Sequence, residues 1–186
     1  MKLLFALVAV ATGCTTVATS VAPNQTSIPD DSGVAFGRLG FVARKKISLR
    51  SFELAAVQVP DGDKFWIRAA SGAASDGEEQ AGSFFVTLPS GHYRLTQWVA
   101  TAAEGKWAGE DAGLSIEVTQ GQAVCVGALY LHPLEKQLFQ LDPAQEPPTL
   151  VRDECADLAH LLRQRSPAVS RSAVVKVARP VTRRKS

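Results

Sequence analysis

The stretch between Gly33 and Leu131 consists of short apolar runs separated by glycine, proline, aspartate and serine. Runs of this length and spacing are typical of the strands of an all-β domain. They predict strands over 34–43, 48–59, 64–70, 82–88, 92–102, 113–118 and 122–131. Because each strand has to bury an apolar face, we expect residues 33–142 to form a single mainly β sandwich domain.

Two connections in this stretch have the composition of tight turns. Pro60-Asp61-Gly62-Asp63 and Thr119-Gln120-Gly121-Gln122 each place a glycine where a hairpin needs positive φ. We therefore expect each turn to join antiparallel neighbours, and the sandwich as a whole to be antiparallel.

The most specific motif inside the domain is a strand, a turn and an alternating strand between Phe84 and Leu95. Its residues Leu88, Pro89, Gly91 and Tyr93 resemble the LPxGxY hairpin of prealbumin-like sandwiches, such as carboxypeptidase regulatory-like domains and many small bacterial lipoproteins. The resemblance implies a fold and no activity. We expect an immunoglobulin-like or prealbumin-like antiparallel β-sandwich of about seven strands with one C-terminal helix.

That helix is predicted within residues 143–165, after a proline-rich linker. Asp153 is a suitable N-cap, and Ser166-Pro167 ends the pattern. The residues between them that fall on one face at helical spacing are Cys155, Leu158, Ala159 and Leu162. The helix is expected to pack this face on the sandwich.

The beginning of the chain has the pattern of an export signal. Met1-Lys2 is followed by an apolar run over residues 3–11. This run is too short to cross a bilayer, which takes about 20 apolar residues, and it fits the apolar region of a secretory signal. Residues 1–13 are therefore predicted to be a signal peptide.

The residues Ala11-Thr12-Gly13-Cys14 resemble the lipobox of bacterial lipoprotein precursors. The resemblance implies cleavage before Cys14 and attachment of fatty acyl chains such as palmitate to it. Residues 14–32 would then be a lipidated flexible tether. The residue after the cysteine is Thr15, whereas an Asp at this position would resemble an inner-membrane retention signal. The expected location is therefore the outer membrane, facing the periplasm. The alternative is an ordinary signal peptide cleaved later, for instance after Ser20.

The chain has three cysteines, an odd number for an exported protein. If Cys14 carries lipid, Cys125 and Cys155 remain as candidates for a disulfide in an oxidising compartment. The alternative is two separate buried thiols.

The last segment, residues 166–186, carries six basic residues and no acidic one. Because the whole chain carries +2, this tail of +6 leaves −4 on the remainder. We expect a disordered tail in which Arg183, Arg184 and Lys185 contact an envelope protein or an anionic wall or lipid surface, although a solvated end with no partner also fits. Nucleic acid is not expected as a partner.

No catalytic motif is found in the sequence: it contains no G-x-S-x-G, H-E-x-x-H, P-loop, dinucleotide fingerprint or C-x-x-C. His92, His132 and His160 have no metal-like spacing, so no metal and no cofactor are expected. The paired carboxylates, including Glu110-Asp111, are interpreted as charges of solvated loops.

Residues 104–109 are interpreted as a glycine-rich loop, and among the aromatic residues Trp107 in this loop is the best candidate for contact with a ligand or partner. Trp66 and Trp98 are interpreted as core or sheet-face residues. The sequence thus predicts a non-enzymatic, membrane-anchored lipoprotein that binds or scaffolds another envelope component. The alternative is a small enzyme or inhibitor that acts on cell wall or polysaccharide.

Overall fold

The computed structural model describes residues 15–42, 49–69, 79–103, 105–131 and 149–180. Within these ranges the chain forms strands and two helices. The strands are β1 Thr15–Val17, β2 Thr19–Ser20, β3 Ser32–Val42, β4 Leu49–Val59, β5 Lys64–Ala69, β6 Glu79–Pro89, β7 Gly91–Ala102, β8 Gly105–Val118, β9 Ala123–Leu131, β10 Thr149–Arg152, β11 Ala173–Val175 and β12 Arg179–Pro180. The helices are α1 Cys155–Arg165 and α2 Pro167–Ser170.

The strands form two sheets, which confirms a mainly β, sandwich-like architecture. Sheet A has the order β1-β5-β4-β7-β8-β12, and sheet B has the order β10-β9-β3-β6-β2, with β11 also beside β9. Each of the seven predicted strands is present as one of β3 to β9. The sandwich is not purely antiparallel, because β3 runs parallel to β9, β1 to β5 and β11 to β9.

The seven long strands are divided between the sheets in a distinctive way. Counted from β3, the first, fourth and seventh lie in sheet B, and the second, third, fifth and sixth lie in sheet A. An immunoglobulin constant domain instead places its first, second, fourth and fifth strands together. The strand distribution therefore differs from the immunoglobulin one.

The main core lies between the two sheets and follows from the two-residue period of the strands. Phe52 and Leu54 on β4 and Tyr93 and Leu95 on β7 face the interior from sheet A, and Leu39 on β3 meets them from sheet B. All five are almost fully buried.

A second apolar cluster covers the outer face of sheet B. Leu158 and Leu162 of α1 and Val169 of α2 pack there against Phe36 of β3 and Cys125 of β9. The predicted helix and its packing on the sandwich are thus observed. Its N-cap lies one residue later than predicted, at Glu154, while the Asp153 carboxylate accepts a hydrogen bond from the Cys155 amide.

The expectation of a flexible tether is wrong for residues 15–31. β1 adds to the edge of β5, and β2 adds to β6. Val21 is fully buried: its amide donates to the Phe85 carbonyl at 2.8 Å, and its carbonyl accepts from the Arg165 guanidinium at 2.7 Å. Polar residues can also form such backbone pairs, so the polar composition of this segment gave no indication of its strands.

The expectation of a disordered tail is likewise wrong for residues 166–180. Ser166 is buried and caps α2. β11 then pairs with β9, and β12 pairs with β8. This segment passes from sheet B to sheet A and closes one side of the sandwich. Arg183, Arg184 and Lys185 lie outside the described residues.

The two predicted hairpins have different outcomes. Residues 60–63 join β4 to its antiparallel neighbour β5, as expected. Residues 119–122 instead lead from sheet A to sheet B, and β9 pairs in parallel with β3. The Gly121 amide donates to the Ser32 carbonyl at 2.8 Å, so this turn is held by the start of β3. The prediction of a hairpin here is wrong, because a tight turn alone does not determine which sheet the next strand joins.

Candidate binding surface

The predicted disulfide is present. Cys125 of β9 and Cys155 of α1 are joined with a Cα–Cα distance of 5.8 Å, and both residues are buried. The bond covalently links α1 to sheet B at the first residue of the helix. Cys14, the predicted lipid attachment residue, lies outside the described residues, as does the signal peptide.

A polar network lies beside the disulfide, around the carboxylate of Glu154. One oxygen accepts from the Arg38 guanidinium of β3, and the other accepts from the Tyr130 hydroxyl of β9 at 3.0 Å. The Arg152 guanidinium lies 4.4 Å from the centre of the Tyr130 ring. Because both carboxylate oxygens are engaged with sheet B, this network positions the start of α1.

The Leu88-Pro89-Gly91-Tyr93 motif forms the connection between β6 in sheet B and β7 in sheet A. The buried Tyr93 hydroxyl donates to the Pro89 carbonyl at 2.7 Å. Burial, together with the nearby carboxylates of Asp63 and Asp61, raises the pKa of Tyr93 well above its usual range. The tyrosine is therefore a structural, protonated group of the core.

The three tryptophans occupy different positions. Trp98 belongs to the main core and is 4% exposed, and Trp66 lies half-buried on the outer face of sheet A. Trp107 is in strand β8, opposite Ala100 of β7, and its side chain lies outside the described part of the structure. The interpretation of 104–109 as a loop is wrong for 105–109, because β8 pairs with β7 as far as Gly105.

Whereas α1 and α2 cover the outer face of sheet B, no described helix covers that of sheet A. We call it the sheet A outer face and define it by residues that alternate with core residues along three adjacent strands: Glu53, Lys64, Trp66, Arg68, Gln97 and Val99. On β5, for example, Ile67 points into the core while its neighbours Trp66 and Arg68 point outward.

Contacts across the strands hold the side chains of this face in place. The Lys64 ammonium lies 4.8 Å from the centre of the Trp66 ring and also bonds the Gln97 side-chain oxygen across the intervening β4. The Arg68 guanidinium meets the Glu53 carboxylate at 2.8 Å. The result is a fixed surface that presents Trp66 and Arg68, and tryptophan and arginine are residue types that protein interfaces favour.

The sequence carries a local signal for this face. Lys64, Trp66 and Arg68 alternate with Phe65 and Ile67, and such alternation places the first three on one side of a strand. The alternation does not say whether that side is covered by a helix. Among the described residues, α1, α2 and Val21 pack on sheet B, β1 pairs with β5 at the edge of sheet A, and no helix packs on the sheet A outer face.

The three histidines are the remaining candidate site residues. His92 on β7 is exposed, the ring of His160 contacts the Gln164 amide at 3.0 Å, and His132 lies outside the described ranges. Among the residues that the structure describes, no group of three or more potential ligands could hold a metal ion. Neither helix described is long and apolar enough to cross a membrane.

Comparisons with known proteins give no family for the chain. No family model matches the sequence, and no curated protein sequence matches it. Among solved structures, a leucine-rich repeat protein from Bacteroides thetaiotaomicron VPI-5482 is similar over 55% of this chain, with 12% sequence identity and a TM-score of 0.43. This chain spans 14% of that protein's chain.

Proposed function

We propose that this chain is an exported lipoprotein, cleaved before Cys14 and anchored there by acyl chains, whose domain binds another component of the bacterial envelope without catalysis. The observation that carries the proposal is the buried disulfide between Cys125 and Cys155. Structural disulfides persist in oxidising compartments such as the periplasm, and this pairing leaves Cys14 as the odd cysteine. The proposed location is the outer membrane, facing the periplasm.

The fold type that we propose is the prealbumin-like sandwich. Two observations support it: the strand distribution differs from the immunoglobulin one, and Tyr93 of the LPxGxY motif bonds Pro89 across the β6–β7 connection. A sandwich of this kind supplies rigid faces for binding.

The position of β1 determines how an anchor on Cys14 would hold the domain. Thr15 is the first residue of β1 and pairs with Lys64, the first residue of β5. Acyl chains on Cys14 would thus begin one residue from the edge of sheet A, without a spacer. The turn at 60–63 lies at the same end, and Val59 beside it is 46% exposed. The proposed orientation brings this end of the sandwich close to the bilayer.

The surface that we propose for the partner is the sheet A outer face. It carries Trp66 and Arg68, residue types that commonly dominate binding energy, and their neighbours Lys64, Gln97 and Glu53 hold them in place. The opposite outer face, on sheet B, is occupied by the chain's own helices. A partner bound here would contact a preorganised, mixed aromatic and charged surface.

Anchoring is tested by the intact mass of the protein purified from envelopes, before and after reduction. We expect loss of residues 1–13, added acyl mass on Cys14, and a further gain of two hydrogens on reduction. A Cys14→Ala variant should lose membrane association while keeping the disulfide. Wild-type protein that retains Met1, or that leaves the membrane without detergent and carries no acyl mass, would refute the anchor.

Binding is tested separately, by photo-crosslinking in intact envelopes from a probe at Gln97 and by capture with the Trp66→Ala/Arg68→Glu variant. The matched control is Arg163→Glu, which alters an exposed arginine on α1. We expect the Gln97 probe to give one discrete crosslinked product, which the double variant loses and the control keeps. Equal crosslinking in all three proteins would exclude the sheet A outer face.

A further inference from the structure

The first part of β8 is an edge of sheet A among the described strands. Residues 105–110 pair with β7 on one side, and no described strand pairs with them on the other. At about 3.4 Å per residue they span about 20 Å. An edge of this length presents backbone N–H and C=O groups to which another strand can add. The interpretation of Glu110-Asp111 as charges of a loop is wrong, because both residues lie within β8.

A bulge separates this edge from the part of β8 that β12 covers. β12 pairs with residues 114–115. Between these residues and the edge, the pairing of β8 with β7 shifts register at residues 111–113, where Gly113 has a φ of 66°. Because a bulge bends the strand that contains it, the edge at 105–110 forms a separate surface.

The exposed side chains of this edge lie on the outer side of sheet A. They belong to Lys106, Ala108 and Glu110, which alternate along the strand. Gly109 between them faces inward, because it pairs with the core residue Trp98 and a Cβ added to it would meet the indole. Lys106 and Glu110 therefore present their charges on the same side of the strand, on either side of Ala108.

This arrangement is complementary to a second copy of itself. When two identical strands pair antiparallel around a twofold axis at Ala108, residues equally far before and after position 108 lie opposite each other. Lys106 of one copy then lies opposite Glu110 of the other, and the pair occurs twice. Opposite charges in this position attract each other. Within one chain the two residues are about 14 Å apart along the strand, so a direct ion pair between them requires two copies.

The charges also select this register over the one with its axis one residue earlier. An axis at position 107 would place Glu110 opposite residue 104, which is a second glutamate. Like charges directly opposite each other are destabilising. With the axis at Ala108, the residue that faces its own copy carries a methyl group, so no charge lies opposite itself.

We propose that two copies of this chain associate through residues 105–110 of β8, which pair antiparallel around Ala108 and join the two A sheets into one continuous sheet. The partner of each edge is a second copy, because the order of Lys106, Ala108 and Glu110 is self-complementary. The interface is small, so we expect the dimer to form and dissociate with protein concentration. The inference is independent of the anchor at Cys14 and of any envelope partner.

Disulfide crosslinking of the purified full-length protein tests the register. Ala108→Cys places a thiol on the proposed axis, where the two Cα atoms would be about 4.5–5.5 Å apart, and it should oxidise to a covalent dimer. Mass spectrometry of the linked peptides distinguishes a 108–108 bond from bonds of the native cysteines. Lys106→Cys is the control, since its two copies would lie about 14 Å apart and should not link. A mixture of Lys106→Cys and Glu110→Cys should link the two variants to each other.

Charge reversal tests the complementarity by sedimentation equilibrium of the purified protein. Lys106→Glu and Glu110→Lys each place like charges opposite each other twice, and each should raise the Kd of the dimer by about tenfold. In an equimolar mixture of the two variants, only mixed dimers restore opposite charges, so the mixture should associate about as tightly as wild type. Arg163→Glu and Asp157→Lys make the same changes in charge at exposed positions of α1 and should leave the Kd unchanged.

Hydrogen exchange of residues 105–110 gives a further measurement, because their protection should rise with protein concentration. Full protection in the monomer would overturn the proposal and assign the edge to the chain's own residues. A protein that stays monomeric up to its solubility limit would also overturn it. So would equal crosslinking of Ala108→Cys and Lys106→Cys, or a Kd that neither charge reversal changes.

Discussion

The hydroxyl of Tyr93 donates a hydrogen bond to the carbonyl of Pro89, 2.7 Å away, across the connection between the two sheets. The tyrosine ring is at the same time buried in the main core and packs edge-on against Phe65 at 6.0 Å. One side chain thus joins the packing of the sandwich to the geometry of the turn at 89–91.

Replacing Tyr93 by phenylalanine keeps the ring and removes the donor. We expect the free energy of unfolding to fall by about 1 kcal/mol, because the hydrogen bond from the buried tyrosine to the Pro89 carbonyl is lost. Chemical denaturation measures the change. His92→Gln, at an exposed neighbouring position on β7, is the control and should change stability by less than about 0.5 kcal/mol. A Tyr93→Phe protein as stable as wild type would contradict the role given to the hydroxyl.

The raised pKa of Tyr93 predicts a loss of stability at alkaline pH. The unfolded chain releases this proton near pH 10, whereas the folded chain holds it to a higher pH. The contribution of the protonated Tyr93 to folding stability is therefore complete below about pH 10 and is lost as the pH rises beyond that value. Phenolate absorbance measures the titration directly. Because the chain has two tyrosines, the Tyr130→Phe variant reports Tyr93 alone. Titration of that variant at the ordinary tyrosine pKa while it remains folded would contradict the prediction.

Reduction of the disulfide should destabilise the domain by about 3.5 kcal/mol, the chain-entropy value for a loop of about 30 residues. The sequence separation of Cys125 and Cys155 is 30. Denaturation with and without reductant measures the loss. Cys125→Ala/Cys155→Ala is the control, since its stability should not respond to reductant. Equal stability of the oxidised and reduced wild-type protein would contradict the predicted stabilisation by the disulfide.

Glu154→Gln should loosen the start of α1 by removing the charge that Arg38 faces. We expect a loss of about 1–2 kcal/mol, within the range for hydrogen bonds to charged groups, with faster amide exchange concentrated in the first turn of α1. The control Asp157→Asn changes an exposed carboxylate of the same turn and should cost less than about 1 kcal/mol. A larger loss in the control than in Glu154→Gln would contradict the proposed positioning role.

Gly109→Ala should disturb the packing of Trp98. A Cβ at position 109 would lie 2.2 Å from the indole nitrogen of Trp98, which also packs edge-on against Phe52. Because the indole is buried and has to shift, we expect a loss of about 1–3 kcal/mol and a changed tryptophan emission spectrum. Ala108→Ser, at the neighbouring exposed position, should change neither. An unaltered emission spectrum in Gly109→Ala would contradict the predicted displacement of the Trp98 indole.

The candidate surface was predictable in part. The alternation of Lys64, Trp66 and Arg68 with Phe65 and Ile67 identifies an outward set on one strand. The identification of this set as an open face required the position of α1 and α2, which pack on the other sheet. The Lys64–Gln97 contact joins strands β5 and β7 across β4, and no local pattern determines which strands become such neighbours.

By itself the sequence indicated seven strands, the helix after them, and Cys125 and Cys155 as candidates for a disulfide, because apolar periodicity and cysteine count act through local geometry and simple chemistry; the structure showed that the two cysteines pair and that β8 begins at Gly105. Only the tertiary structure decided that residues 15–21 and 173–180 pair with the sheets, and that 119–122 leads from one sheet to the other. A residue with almost any side chain can form backbone hydrogen bonds at a sheet edge. Whether a polar segment such as Thr15–Ser20 forms strands therefore depends on where the sheet edges lie. That location is a property of the assembled sandwich.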